Sequence, residues 1–246
     1  FMVSSKVEVI TKHAESNDGN KWISDGKGSF KIEDDKTASR GTKVILHIGK
    51  GEEEFLDSIR IKSIIKSYSD HIDIPVKFSE EGVESEVINK ASAIWTRSKS
   101  DITDDSYTEF YKHISHSHTE PWRTIHLHAE GTIEYAALLY IPEAPPFDLY
   151  DVKRQHKVKL YVRKVFITDE CEGLIPSWLR FLRGVVDSSD LPLNISRETL
   201  QHNPVLSKIK NGVTKRVLSE LKTATKDTEL YEEFWGNFGA LLKEGI

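Results

Sequence analysis

The stretch TIHLHAEGTIEYAALLYI, residues 124–141, decides how this chain folds. Residues 124–130 and 133–141 each read as a strand, with a glycine-bearing turn between them. Residues 157–167 read as a third strand. The apolar runs at 135–141 and 161–167 are far too short to cross a bilayer.

Working outward, residues 176–186 read as a helix with proline in its first turn. A loop at 187–194 follows, then helices over about 204–224 and 229–243, each with apolar positions three or four apart. On the other side, a helix starts at Thr103, whose hydroxyl can cap free amides. Asp104 and Asp105 follow, and Tyr107, Phe110, Tyr111 and Ile114 form one apolar stripe.

The polar segment SEEGVESE (79–86) separates this region from an earlier one. That earlier region holds a strand at 6–11, a hairpin at 22–32, a strand at 42–48, a helix over 52–68 and a strand at 72–78. The expected domains are therefore 1–78, a short linker at 79–89, and 90–246. Strands followed by helices define an α/β (α+β) class with a helical extension.

Composition narrows the function. Among 246 residues, 38% are hydrophobic and 30% charged, which is the balance of a core-forming soluble chain. A net charge of −5 argues against nucleic-acid binding, which needs concentrated Lys and Arg. Cys171 is the only cysteine, so no internal disulfide can form, in keeping with a reducing compartment. It stands between Glu170 and Glu172, which disfavour a thiolate. No secretory or transit peptide is visible. The opening FMVSSKVEVI reads as one element running into a strand, so both ends are expected to be cut.

Several motifs invite chemistry. His113, His116 and His118 crowd a helix end, and His126 and His128 share a strand face. No cysteine lies nearby, and the reading taken is a histidine-rich polar turn, with no metal site. SDGKGS (24–29) lacks the strand-to-helix setting of a phosphate loop and reads as a hairpin.

DSSDLPLNISRETLQ (187–201) is the informative segment. It exposes Leu191 and Leu193 in a polar loop and puts Ser196 where a helix cap belongs. Arg197 falls in the first helical turn, where the macrodipole disfavours a cation, and Gln201 lies one turn later on the same face. Free amides and a guanidinium together suit an anion. A surface salt bridge explains the same arrangement, so physical chemistry alone leaves both open.

AIWTRSKSDIT (93–103), YIPEAPPFDL (140–149), KLYVRKVFITDE (159–170), LIPSWLRFLRGVVDS (174–188) and DLPLNISRETLQ (190–201) resemble, in order, the middle segment of heat-shock protein 90 chaperones. FMVSSKVEVIT, WISDGKGSF and RGTKVILHI resemble the back half of that family's amino-terminal ATPase domain. The resemblance covers nearly the whole chain. It implies the back of a GHKL-type ATPase sandwich, then a middle domain of strands covered by helices.

The resemblance also implies roles. Arg197 corresponds to the arginine that reaches the γ-phosphate of ATP, with Gln201 and Asn194 assisting. Thr42 matches a threonine near the adenine, and Val9 either lines that pocket or is a plain core valine. Phe147, Leu191 and Leu193 resemble contacts that dock the middle domain on the ATPase domain. Trp95 resembles an exposed client-contacting tryptophan, with a half-buried core tryptophan as the alternative. ATP with magnesium is the implied cofactor, and a homodimer acting on partly folded client proteins the implied assembly, without nucleic acid or membrane.

The family's acidic base, magnesium-binding asparagine, adenine-reading aspartate and glycine-rich lid find no counterpart here, so this segment alone is not expected to hydrolyse ATP. Pro145 stands where the family usually has alanine, stiffening the docking turn. The short 79–86 boundary suggests the bacterial (HtpG-type) branch and a cytoplasmic location, or an organellar matrix. Two other readings are a non-enzymatic client-binding module and a DNA-linked GHKL ATPase. The latter class uses a lysine where this chain has Arg197.

Overall fold

The computed structural model describes residues 1–151, 154, 156–192, 200 and 203–245. Contacts divide the chain into two compact units. One comprises Phe1–Lys66 with Lys77–Glu86, the other Ser67–Val76 with Val87–Ile246. The division thus gives residues 67–76 to the later unit and falls at 86/87, at the end of the polar stretch.

The first unit is built on strands β1 (Ser4–Lys12), β2 (Gly19–Ser24), β3 (Phe30–Asp35) and β4 (Gly41–Ile48), in the antiparallel order β3-β2-β1-β4. Alternation gives this sheet two unlike faces. One carries Val7, Val9, Trp22, Ile32, Val44 and Leu46 in cross-strand register. Phe30, Ile32, Val44 and Leu46 remain exposed on it.

The opposite face centres on Glu8, whose carboxylate meets Lys21 at 2.5 Å, Lys6 at 2.7 Å and the His47 ring at 2.8 Å. Those partners, Lys21 foremost, hold its pKa at about 2.

A 3₁₀ turn at Glu53–Leu56 precedes helix α1 (Ser58–Ser69), so the segment expected as one helix is broken at Asp57, whose backbone is extended. Of the strand expected at 72–78, only β5 (Lys77–Phe78) forms, pairing with β6 (Glu86–Val87). Pro75 has no N–H to give a ladder, and the Asn89 side chain instead serves the Val76 N–H and the carbonyls of Ile72 and Ile74.

The second unit is a sheet between helical layers. Helix α2 (Asp104–Ser115) starts as expected, with Thr103 accepting from the Ser106 N–H. Strands β7 (Pro121–Ala129), β8 (Tyr135–Pro142), β9 (Lys157–Val162), β10 (Val165–Thr168) and β11 (Arg183–Ser188) take the order β10-β9-β11-β8-β7. Helices α3 (Pro204–Ala224) and α4 (Thr228–Lys243) close the chain.

Two-residue alternation along β8 feeds two cores. Tyr135, Ala137, Leu139 and Ile141 pack with Leu206, Ile209, Val213, Val217, Phe234 and Phe238 of α3 and α4. Ala136, Leu138 and Tyr140 pack with Trp95, Tyr111 and Val185 on the α2 side. Every residue of β8 is buried, as a central strand with both faces covered must be. The approach of α3 is close at Gly212, where a Cβ would stand 2.2 Å from the Tyr135 hydroxyl.

Two expectations are corrected. Residues 176–186 do not form a helix; a short 3₁₀ turn, Ser177–Leu179, leads into β11. That strand lies between β8, antiparallel, and β9, parallel. Gly184 sits at φ 136°, and a Cβ there would fall 2.2 Å from the Leu138 carbonyl oxygen. A slot flanked on both sides by strands, with β-branched Val185 and Val186 to fill it, overrides the proline start signal. The single strand expected over 157–167 is a hairpin of β9 and β10, turning at Arg163 and Lys164, both left-handed at φ 50° and 66°. Cys171 is buried, and that burial pushes its pKa up to about 12.

Candidate functional site

Trp95 organises the α2 side of the second unit. It lies in a 3₁₀ turn, Ile94–Thr96, and is fully buried at 0% exposure. Its ring packs against His71 at 4.7 Å, Tyr161 at 4.9 Å and Phe110 at 5.7 Å between centroids. Its Nε1–H donates to Asp187 at 2.8 Å. Trp95 is therefore a core residue and not an exposed client contact. A buried tryptophan needs an acceptor for its indole N–H, and Asp187 supplies one.

Asp187 ties three elements together. Besides Trp95 it accepts from the Lys164 backbone N–H at 3.1 Å, holding the strained β9–β10 turn. Burial pushes the Asp187 pKa above its ordinary value, while the hydrogen bonds from Trp95 and Lys164 oppose that rise. Sequence reasoning missed Asp187. Its signal was an acidic residue directly after the apolar pair Val185-Val186, legible only once that pair is read as a strand.

A second polar chain runs behind Trp95. The Tyr140 hydroxyl donates to the Tyr107 carbonyl at 3.0 Å, and the Tyr107 hydroxyl lies 2.7 Å from His126 Nδ1. His126 Nε2 lies 2.9 Å from the Trp95 carbonyl, which can only accept, so Nε2 carries the hydrogen and Nδ1 accepts from Tyr107. His126 is buried, its pKa lowered by desolvation, and it is a satisfied core histidine.

The other expected site residues scatter. Arg197, Gln201, Asn194 and Leu193 lie outside the described residues. Their described flanks are fixed: Leu191 is 1% exposed and Leu200 3%, both in the core shared with α3 and α4. Asp190 accepts from the Glu134 N–H at 2.7 Å, and Asn203 caps α3. Leu191 is accordingly an anchor rather than an exposed docking residue, because a leucine beside the sheet's end gains more in the core than in water.

Phe147 is fully exposed. Leu149, two residues on, is buried, and its carbonyl accepts from Arg180 Nε at 3.1 Å, so the turn holds the ring out from a fixed base. In the first unit, Thr42 Oγ1 lies 2.9 Å from Thr11 Oγ1. Thr11 pairs with Thr42, and Val9 with Val44, so Thr42 and Val9 share the sheet's apolar face.

The protein-family model described as Hsp90 protein matches residues 76–246, most of the chain and nearly all of the second unit. The chain belongs to the Hsp90 family. Among curated relatives, it is 56% identical over its full length to a protein named Chaperone protein HtpG from Paramagnetospirillum magneticum. It is 54% identical to proteins of the same name from Rhodospirillum rubrum and from Rickettsia rickettsii. The chain spans 40% of the length of each of these relatives. Its likeness is thus to the bacterial HtpG-type branch. Among the described residues no helix is long and apolar enough to cross a membrane.

Proposed function

We propose that this chain serves, within a protein of its relatives' length, in an ATP-driven chaperone that closes as a homodimer on partly folded client proteins in the cytoplasm. The observation that carries the reading is the match, over the whole chain, to relatives named as HtpG chaperones.

Arg197 is the group assigned to the γ-phosphate, with Gln201 and Asn194 beside it. A guanidinium there stabilises charge on the transferring phosphoryl oxygens. What supports the assignment is the anchoring of both flanks in one core, through Leu191 and Leu200, since a group that senses a phosphate must be presented from a fixed base.

Thr42 and Val9 are assigned to the adenine side of the nucleotide site. The apolar face that carries them, with a hydroxyl pair at its edge, fits a planar base with polar rims. Bound ATP with magnesium supplies the phosphoryl group that is cleaved; the described residues contribute a wall.

Phe147 is assigned to docking between the middle and ATPase domains, together with Leu193. The burial of Trp95 removes it from the client surface.

The test uses the protein at the relatives' full length. ATP turnover is measured alongside aggregation of a thermally unfolded enzyme, with and without ATP. Turnover, together with ATP-dependent protection of the client, is the expected result. Protection that ignores ATP, with no turnover, would leave a passive client-binding module in its place.

A further inference from the structure

His126 and His128 are a motif that the chaperone reading leaves unused. Two residues apart on β7, they point to one face, and their Nε2 atoms lie 3.1 Å apart. The Trp95 carbonyl oxygen is 2.9 Å from the same His126 nitrogen. Two imidazole nitrogens bound to one metal at about 2.0–2.1 Å, roughly 100° apart, stand about 3.1 Å from each other. We propose that His126 Nε2 and His128 Nε2 chelate a divalent transition metal of the copper, nickel or zinc kind, with the Trp95 carbonyl as a neighbouring oxygen donor.

A hydrogen bond between the two rings would give the same separation. In the metal-free protein the hydrogen on His126 Nε2 is shared between the Trp95 carbonyl and the His128 Nε2 lone pair. His128 therefore offers that nitrogen a lone pair, and two ring nitrogens converge on one small volume. Once that hydrogen moves to Nδ1, both nitrogens present lone pairs there, which is what a borderline cation rewards.

The proton balance closes without loss of a proton from the protein. On metal binding, the His126 hydrogen moves from Nε2 to Nδ1. The Tyr107 hydroxyl, 2.7 Å from Nδ1, then accepts instead of donating. Its own hydrogen turns toward the cavity of about 430 Å³ that Tyr107 and His126 help to line. A hydroxyl suits this place against Nδ1 because it can donate or accept and so supports either tautomer.

Access comes from the other side. His128 is exposed and lines a cavity of about 280 Å³ with Thr96, Glu130 and Glu134, whose carboxylates attract cations, and with Arg163 and Lys164, which oppose them. Among the described residues no third imidazole, thiolate or carboxylate completes a cluster. The site is therefore open and exchangeable, not a closed structural one.

The test titrates the intact chain with nickel(II) and copper(II) chloride by calorimetry, with electron paramagnetic resonance for copper. One saturable site with two-nitrogen hyperfine structure is expected, tighter for copper than for nickel. His128→Ala should weaken it by at least about tenfold while leaving the melting curve in place, because that ring is exposed. His116→Ala with His118→Ala should leave affinity unchanged. Binding that survives His128→Ala, or that follows His116 and His118, overturns the proposal, as does the absence of saturable binding. His126→Ala is the less useful variant, since that ring also satisfies the core.

Discussion

The indole N–H of Trp95 reaches 92 residues along the chain to donate to the buried carboxylate of Asp187 at 2.8 Å. This one bond joins the 3₁₀ turn before α2 to the central strand β11, and through Asp187 to the β9–β10 turn.

Trp95→Phe keeps much of the ring and removes the donor. It leaves Asp187 short of a partner in the core, at an expected cost of about 1–3 kcal/mol. Trp95→Ala adds a cavity and should cost about 3–5 kcal/mol. Urea denaturation followed by circular dichroism reads both. A variant as stable as the parent would return Trp95 to the surface reading.

Asp187 gives a pH signature. Its folded pKa is raised, chiefly by burial, so the folded state holds a proton more tightly than the unfolded state. Stability from this group is present below the unfolded value of 3.8 and is lost as pH rises through the folded value. Asp187→Asn removes that loss. The stability difference, variant minus parent, should therefore shift in the variant's favour as pH rises from about 3.8 toward neutrality. A difference that stays flat with pH contradicts the burial.

Glu8 acts with the opposite sign. Its folded pKa of about 2 lies below the ordinary 4.5, so its contribution is present above 4.5 and fades as pH falls toward 2. Glu8→Gln should flatten the acid limb of unfolding in that window, read by thermal melts between those pH values. An unchanged acid limb would mean that Lys6, Lys21 and His47 do not hold the carboxylate.

Gly184→Ala tests the central strand. A Cβ at that position meets the Leu138 carbonyl oxygen at 2.2 Å and the Leu139 Cα at 2.9 Å, on a backbone that side chains rarely adopt. A loss of more than about 3 kcal/mol is expected from strain and displaced strands together. A neutral effect would favour the helix that the sequence suggested at 176–186.

Elements with their own local signals were legible before the structure. Thr103 caps α2, and the long stripe Leu206, Ile209, Val213 and Val217 defines α3. Strands β1, β4, β7 and β8 follow from alternation or from continuous apolar runs. What failed depended on neighbours distant in sequence. The apolar residues of 176–186 suit a helix or a strand equally, and only the gap between β8 and β9 selects the strand.

The β9–β10 turn was hidden because Arg163 and Lys164 are not turn residues by type. Their left-handed backbone is held by Asp187 instead. The site divides the same way. Phe147 is exposed, as the local turn motif around it suggested. For Trp95 the core alternative is the one the structure favours, whereas Leu191 sits in a polar loop whose sequence gives no mark of burial.

The most direct test of the ATP-driven account is the turnover of Arg197→Ala in the protein at its relatives' full length, measured beside nucleotide affinity. The account predicts a fall in turnover of roughly 10³-fold with ATP affinity little changed. Turnover equal to the parent's would contradict it and leave this chain's Hsp90 kinship without the proposed phosphate sensor.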